Sequence, residues 1–206
     1  MSRTRGDRWA FDPVVVGRRE CDAWAAYYRH EWTTFLASAV GMVRAGFGMN
    51  WPRTLAGAWY VLRANQAWAP YPGNDPERAR QFMRRFYALV AADGALRPQP
   101  IEAARLEVEW WRVHRVHQRE DRLSEDDLTS ALCDLYSHVY SVGVDAVRVA
   151  AQHRVVAMRL SDEWVASGCD PSSELLAQER RELVASYTAL REAVGDPDRQ
   201  PRRSST

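Results

Sequence analysis

Apolar side chains recur at intervals of three and four residues along almost the whole chain, the spacing that gathers them on one face of a helix. From about Arg18 to Val43 the stripe runs through Cys21, Trp24, Tyr28, Trp32, Phe35, Leu36, Ala39 and Val40, and it predicts a first helix. Gly41, Gly46 and Gly48 then loosen the pattern. Asn50-Trp51-Pro52 is suited to cap and start a second helix that runs to about Gln66 and ends in the turn of Pro70, Pro72 and Gly73. Asp75-Pro76 opens a third, which buries Ala79, Phe82, Phe86 and Val90 and stops at Gly94.

Pro98 and Pro100 lead into a fourth helix, Ile101 to about Arg119, with Ala103, Leu106, Trp110 and Val113 on its stripe. Ser124 and Asp127 make a capping box, stapled by Leu123 and Leu128, for a fifth from Glu125 to about Ser141. Gly143 breaks that helix, and Asp145 recaps a sixth through Val149, His153, Ala157, Leu160 and Trp164 to Ser167-Gly168. Asp170-Pro171 repeats the cap-plus-proline start for a last helix along Leu176, Leu183, Tyr187, Leu190 and Val194. Only Val14 to Val16 reads as a competing strand. The pattern therefore predicts an all-α fold: one irregular helical bundle of about six to seven helices over residues 1–195, followed by a polar tail, 196–206, expected to be disordered.

Composition narrows the chemistry. All 28 basic residues are arginine, so a Schiff-base lysine, a pyridoxal phosphate anchor and a phosphate-loop lysine are excluded; GC-rich coding explains the bias most simply. A net charge of +1 supplies no field for nucleic acid, and no nucleic-acid reading motif is present. Cys21, Cys133 and Cys169 are widely spaced without a CxxC pair, which fits a reducing cytoplasm. Met1 to Arg8 is basic but leads into Trp9, Phe11 and Pro13 rather than the apolar run of a secretory signal. Arg44 and Pro52-Arg53 interrupt the most apolar stretch, so no membrane span is expected. Ser, Cys and His show no nucleophile elbow or paired spacing.

The charge is unevenly placed. Between Glu31 and Asp75 there is no acidic residue, yet Arg44, Arg53 and Arg63 lie there among many aromatic rings. From Glu102 to Asp145 ten carboxylates outnumber five arginines, and the two regions are expected to face each other, within one chain or across a homodimer. Guanidinium groups among rings without local carboxylates suit a small anionic or aromatic ligand. Arg63, with Arg44, Trp59, Gln66 and Trp68, is the candidate ligand-binding set, the alternative partner of Arg63 being a carboxylate from the acidic region.

Histidine forms the second candidate site. His138 and His153 fall on apolar stripes, and His114 and His117 share a helix edge. With Glu31, Glu107 or Asp134 they would offer the nitrogen and oxygen donors that iron, manganese or zinc accept, or one axial ligand for a haem. No glutamate precedes a histidine by three positions, so a ferritin-like di-iron pair is not expected, and the simpler role of each imidazole is packing against a carbonyl or carboxylate. The functional expectation is a small-molecule-binding bundle with an Arg/Trp-lined cavity, extended to iron- or haem-dependent oxidation if the histidines converge; its rival is a non-catalytic interaction protein or homodimer subunit. Turnover itself is not legible in the sequence.

Overall fold

Capping chemistry decides where most helices begin. In the computed structural model, which describes residues 11–93, 96–120 and 122–195, Asp12 accepts hydrogen bonds from the backbone N–H groups of Val14 and Val15, with Pro13 in the first turn. The valine run that resembles a strand is therefore the start of α1, Pro13–Tyr28. The single helix expected from Arg18 to Val43 is two. His30 takes a left-handed conformation (φ 57°) that ends α1, and α2 restarts at Trp32–Phe47. This division raises the count to eight α-helices among the described residues, one above the expected upper bound.

The remaining elements follow their signals closely. Gly48 (φ 62°) closes α2, and Asn50 accepts from Arg53 N–H at 3.1 Å to start α3, Trp51–Trp68. Asp75 caps α4, Pro76–Asp93, through Arg78 N–H; Gly94 lies outside the described residues. After α5, Pro100–Glu120, the capping box appears as the sequence predicts: Ser124 accepts from Asp127 N–H, and Asp127 accepts from Ser124 N–H, at the head of α6, Glu125–Tyr140. Ser124→Ala is expected to lower unfolding free energy by about 1 kcal/mol, read from urea titration of helical circular dichroism. A 3-10 turn, Val144–Val147, leads into α7, Arg148–Ala166. At the last start the boundary slips. Asp170 accepts from Ser172 N–H and Oγ, which holds a turn, and α8 runs over Glu174–Gly195.

Each helix packs on the next in sequence, and α8 packs back on α1, so the eight form a closed ring. The closing seam is tight at Gly17, where a Cβ would stand 2.8 Å from the backbone nitrogen of Val184. Only glycine lets α1 approach α8 so closely. The expected seam between the arginine-rich and acidic regions forms only loosely. Arg53 pairs with Asp93, Arg80 with Glu77, Arg105 with Glu102 and Arg112 with Glu109, all in or next to their own neighbourhoods, while Arg80 reaches Glu109 across the α4–α5 seam through its charge alone. No described helix is long and apolar enough to cross a membrane. Residues 196–206 lie outside the described residues.

Candidate functional site

Ring closure leaves a cavity of about 160 Å³ on its axis, and all eight helices contribute to its wall. The wall is mainly aromatic: Trp24 from α1, Phe35 and Phe47 from α2, Phe86 and Tyr87 from α4, Trp110 and Trp111 from α5, Tyr136 and Tyr140 from α6, and Tyr187 from α8. Val61, Met83, Leu135 and Val139 fill the gaps between rings. A dry engineered cavity of about 150 Å³ admits one benzene ring, so this volume is on the scale of a single-ring molecule.

The polar part of the wall is built around Arg154 of α7. Its Nη1 donates to Glu20 Oε2 at 3.1 Å, to the Tyr136 hydroxyl at 3.1 Å and to the Tyr187 hydroxyl at 3.4 Å, while Nη2 donates to Glu20 Oε1. The guanidinium lies 5.4 Å from the Trp24 ring centroid and 5.2 Å from that of Trp110. Burial works against the charge of Arg154, but the Glu20 carboxylate overcomes it and holds the group protonated well beyond its ordinary range. The pair joins α1 to α7 as a fork-on-fork contact sealed from water.

Glu107 is the second buried carboxyl of the wall. Tyr87 donates its hydroxyl to Oε2 at 2.6 Å, and the Trp110 indole N–H reaches Oε1 at 3.1 Å. Burial raises its pKa, opposed by these donors and by the charge of Arg154. Burial likewise pushes the phenols of Tyr87, Tyr136, Tyr140 and Tyr187 upward, so they act as neutral hydrogen-bonding groups.

A second compartment of about 210 Å³ shares Trp24, Phe35, Asn65, Trp110 and Trp111 with the first. It lies where α1, α3 and α5 end, and its outer wall is polar: His30, His114, Arg115, Gln118 and Arg119. Arg115 stacks 4.3 Å over Trp68, and Arg119 stacks 4.3 Å over Tyr71.

Trp68 is the member of the predicted ligand-binding set that lies in a cavity wall, and Arg115 rather than Arg63 covers it. Arg63 donates to Gln66 Oε1 at 3.0 Å and lies over the rings of Trp59 and Phe82, with no carboxylate of the Glu102 to Asp145 region in ion-pair contact among the described residues. Arg44 is exposed, donates to the Met49 carbonyl and covers Trp51. Trp59 is 49% exposed.

The predicted metal set does not converge. His114 pairs with Asp162 at 3.1 Å, His117 meets the Leu123 carbonyl at 2.6 Å, His138 the Gln99 carbonyl at 3.3 Å and His153 Glu182 at 2.7 Å. Glu31 pairs with Arg29, and Asp134 is exposed. Among the described residues no three His, Cys, Asp or Glu side chains are grouped as metal ligands. His138 and His153 sit at the edges of their stripes, one position from the residues that point inward, Val139 and Arg154.

Away from the cavities, Glu179 of α8 is fully buried, and neither carboxyl oxygen has a hydrogen-bond partner among the described residues. It lies by Cys21 and Ser161 in a small cluster with Trp164, Leu176 and Leu183. Burial pushes its pKa up to about 8, against weaker lowering by Cys21 and Ser161.

Compared with known proteins, the chain matches no family model, no curated protein and no solved structure.

Proposed function

We propose that the protein is a binding protein for a small planar molecule, a single aromatic ring in size, held in the axial cavity between Trp24, Trp110 and the tyrosines. The observation that carries this reading is a ring-walled space to which every helix contributes and which no side chain fills. Glu107 and the tyrosine hydroxyls supply polar atoms that orient a ligand, and the internally paired Arg154–Glu20 contact supplies a rigid wall rather than free charge. With nine tryptophans, the chain reports its own occupancy through fluorescence.

A panel of phenol, benzyl alcohol, benzoate and indole, titrated against intrinsic fluorescence and thermal midpoint, tests the reading. At least one member is expected to bind at millimolar affinity or better and to raise the midpoint. Val139→Phe places a ring in the cavity and is expected to abolish that response in a chain that stays folded. A panel without effect, or a response that survives Val139→Phe, counts against the proposal.

A second reading rests on a separate observation. Trp51, Leu55 and Trp59 lie one turn apart on α3 and are 55%, 54% and 49% exposed, flanked by Arg44 and Arg63 and without an acidic residue from Trp32 to Asn74. A second copy would bring those arginines against their own counterparts, so the partner that fits is an acidic amphipathic helix. A synthetic glutamate-flanked leucine helix is expected to bind and to lose about tenfold in affinity on Trp59→Ala. Equal binding of a lysine-flanked control would remove this reading.

A further inference from the structure

The second compartment is lined by two arginines that no carboxylate among the described residues pairs with. Arg115 is half-buried, and its Nη groups donate to the carbonyl oxygens of Trp68 at 2.9 Å and Pro70 at 3.4 Å. Those contacts, with the neighbouring Tyr27 hydroxyl, satisfy hydrogen bonds but not charge, and among the described residues neither Arg115 nor its like-charged neighbour Arg119 makes an ion pair with a carboxylate. Burial, and then Arg119, disfavour the charged guanidinium, against weaker support from Tyr27 and Tyr28. Arg119 itself lies over the Tyr71 ring. The nearby Asp162 is engaged at Oδ2 by His114 and at Oδ1 by Gln118, whose amide donates at 2.6 Å. Two neighbouring guanidinium groups stacked on rings beside an open space, without an ion-pair partner among the described residues, suit an anion.

We infer that this compartment is an anion subsite, formed by Arg115 and Arg119 with His30 beside them, and that the ligand is an aromatic acid: one ring in the axial cavity and one carboxylate, sulfonate or phosphate among the arginines. The inference rests on the axial cavity being a ligand site. The two compartments share Trp24, Trp110 and Trp111 in their common wall, so a molecule lying across it touches both. A flexible two- or three-atom linker between ring and anion suits that placement better than benzoate, whose charge is fixed directly on the ring.

Calorimetric titration of the full chain with 3-phenylpropanoate and with 3-phenylpropan-1-ol separates the two claims. The acid is expected to bind about tenfold more tightly than the alcohol, the scale of one charge-assisted contact, and to weaken with added salt. Arg115→Met is expected to bring the acid down to the affinity of the alcohol while leaving the alcohol unchanged. Because Arg115 also holds the end of α3, Arg119→Gln serves as the second variant; it lies at an exposed position, and it too is expected to weaken the acid alone. Equal affinity of acid and alcohol, or a selectivity that survives both variants, overturns the anion subsite and leaves the aromatic cavity standing. Absence of binding by both compounds overturns the cavity reading itself, and the subsite with it.

Discussion

Arg154→Met is expected to lower the free energy of unfolding by about 3–5 kcal/mol, because it strands Glu20 as an uncompensated carboxylate in the interior. The pair is almost completely buried, with side-chain exposures of 9% and 5%, so water cannot replace the lost partner. Tyr136 and Tyr187 would also lose the donor that their hydroxyls now accept from. Adding Glu20→Met to the same chain is expected to restore most of the loss, since two apolar chains of similar length fill the space without charge. Urea unfolding followed by tryptophan fluorescence measures all three variants. A single variant as stable as the parent would mean that the contact does not hold α1 to α7; a double variant no better than the single would mean that shape rather than charge dominates.

Glu179→Gln should act in the opposite sense, and only at high pH. The folded chain keeps the Glu179 proton to about pH 8, whereas an unfolded chain releases it near the ordinary value of 4.5. A carboxyl whose folded pKa is raised contributes nothing unfavourable below the lower value. Its stability penalty then grows as pH rises between the two, and it is complete above the upper one. A displacement of this size corresponds to about 5 kcal/mol. The glutamine variant is therefore expected to match the parent within about 1 kcal/mol at pH 5 and to exceed it by about 5 kcal/mol at pH 9. Paired urea titrations at the two pH values give the difference directly. A constant offset between the curves would show that Glu179 does not titrate across this window.

Local signals in the chain are read with little error where one side chain settles the geometry. Ser124, Asp127, Asp75 and Asn50 all cap where their spacing implies, because a cap depends on a few adjacent residues. The division at His30 has no such signature: its left-handed backbone sits in a helix-closing turn in which Glu31 N–H returns to the Ala26 carbonyl at 2.8 Å, and histidine does not announce it as glycine would. Charge asymmetry points to arginines and rings near the loop after α3, and Trp68 lines a compartment, but the cation over it comes from α5.

Arg154 was legible in principle. It shares the inward register of Ala150, Ala151, Ala157 and Met158, and Glu20 shares that of Val16 and Ala23; a charged residue on an apolar stripe is the mark of a buried pair. The apolar stripe places the adjacent His153 inward, whereas the structure turns Arg154 inward, one position on, which on a helix is a rotation of about 100°. That Arg154 and Glu20 answer each other across 134 residues follows from ring closure, a tertiary property that no local spacing encodes.

The closed ring also constrains how the molecule comes into being during translation. Chains generally begin folding from the N-terminal end as they are synthesised, yet here the first helix finds its closing partner in the last. A nascent polypeptide that has released α1 to α6 already carries Glu20, Glu107 and most of the aromatic wall, but neither Arg154 nor Tyr187. Until α7 emerges, Glu20 lacks Arg154, and until α8 emerges, Gly17 has no backbone to rest against. The axial cavity is thus closed only once α7 and α8 have emerged, and a translation product interrupted before them keeps the aromatic residues of its wall without the helices that complete it.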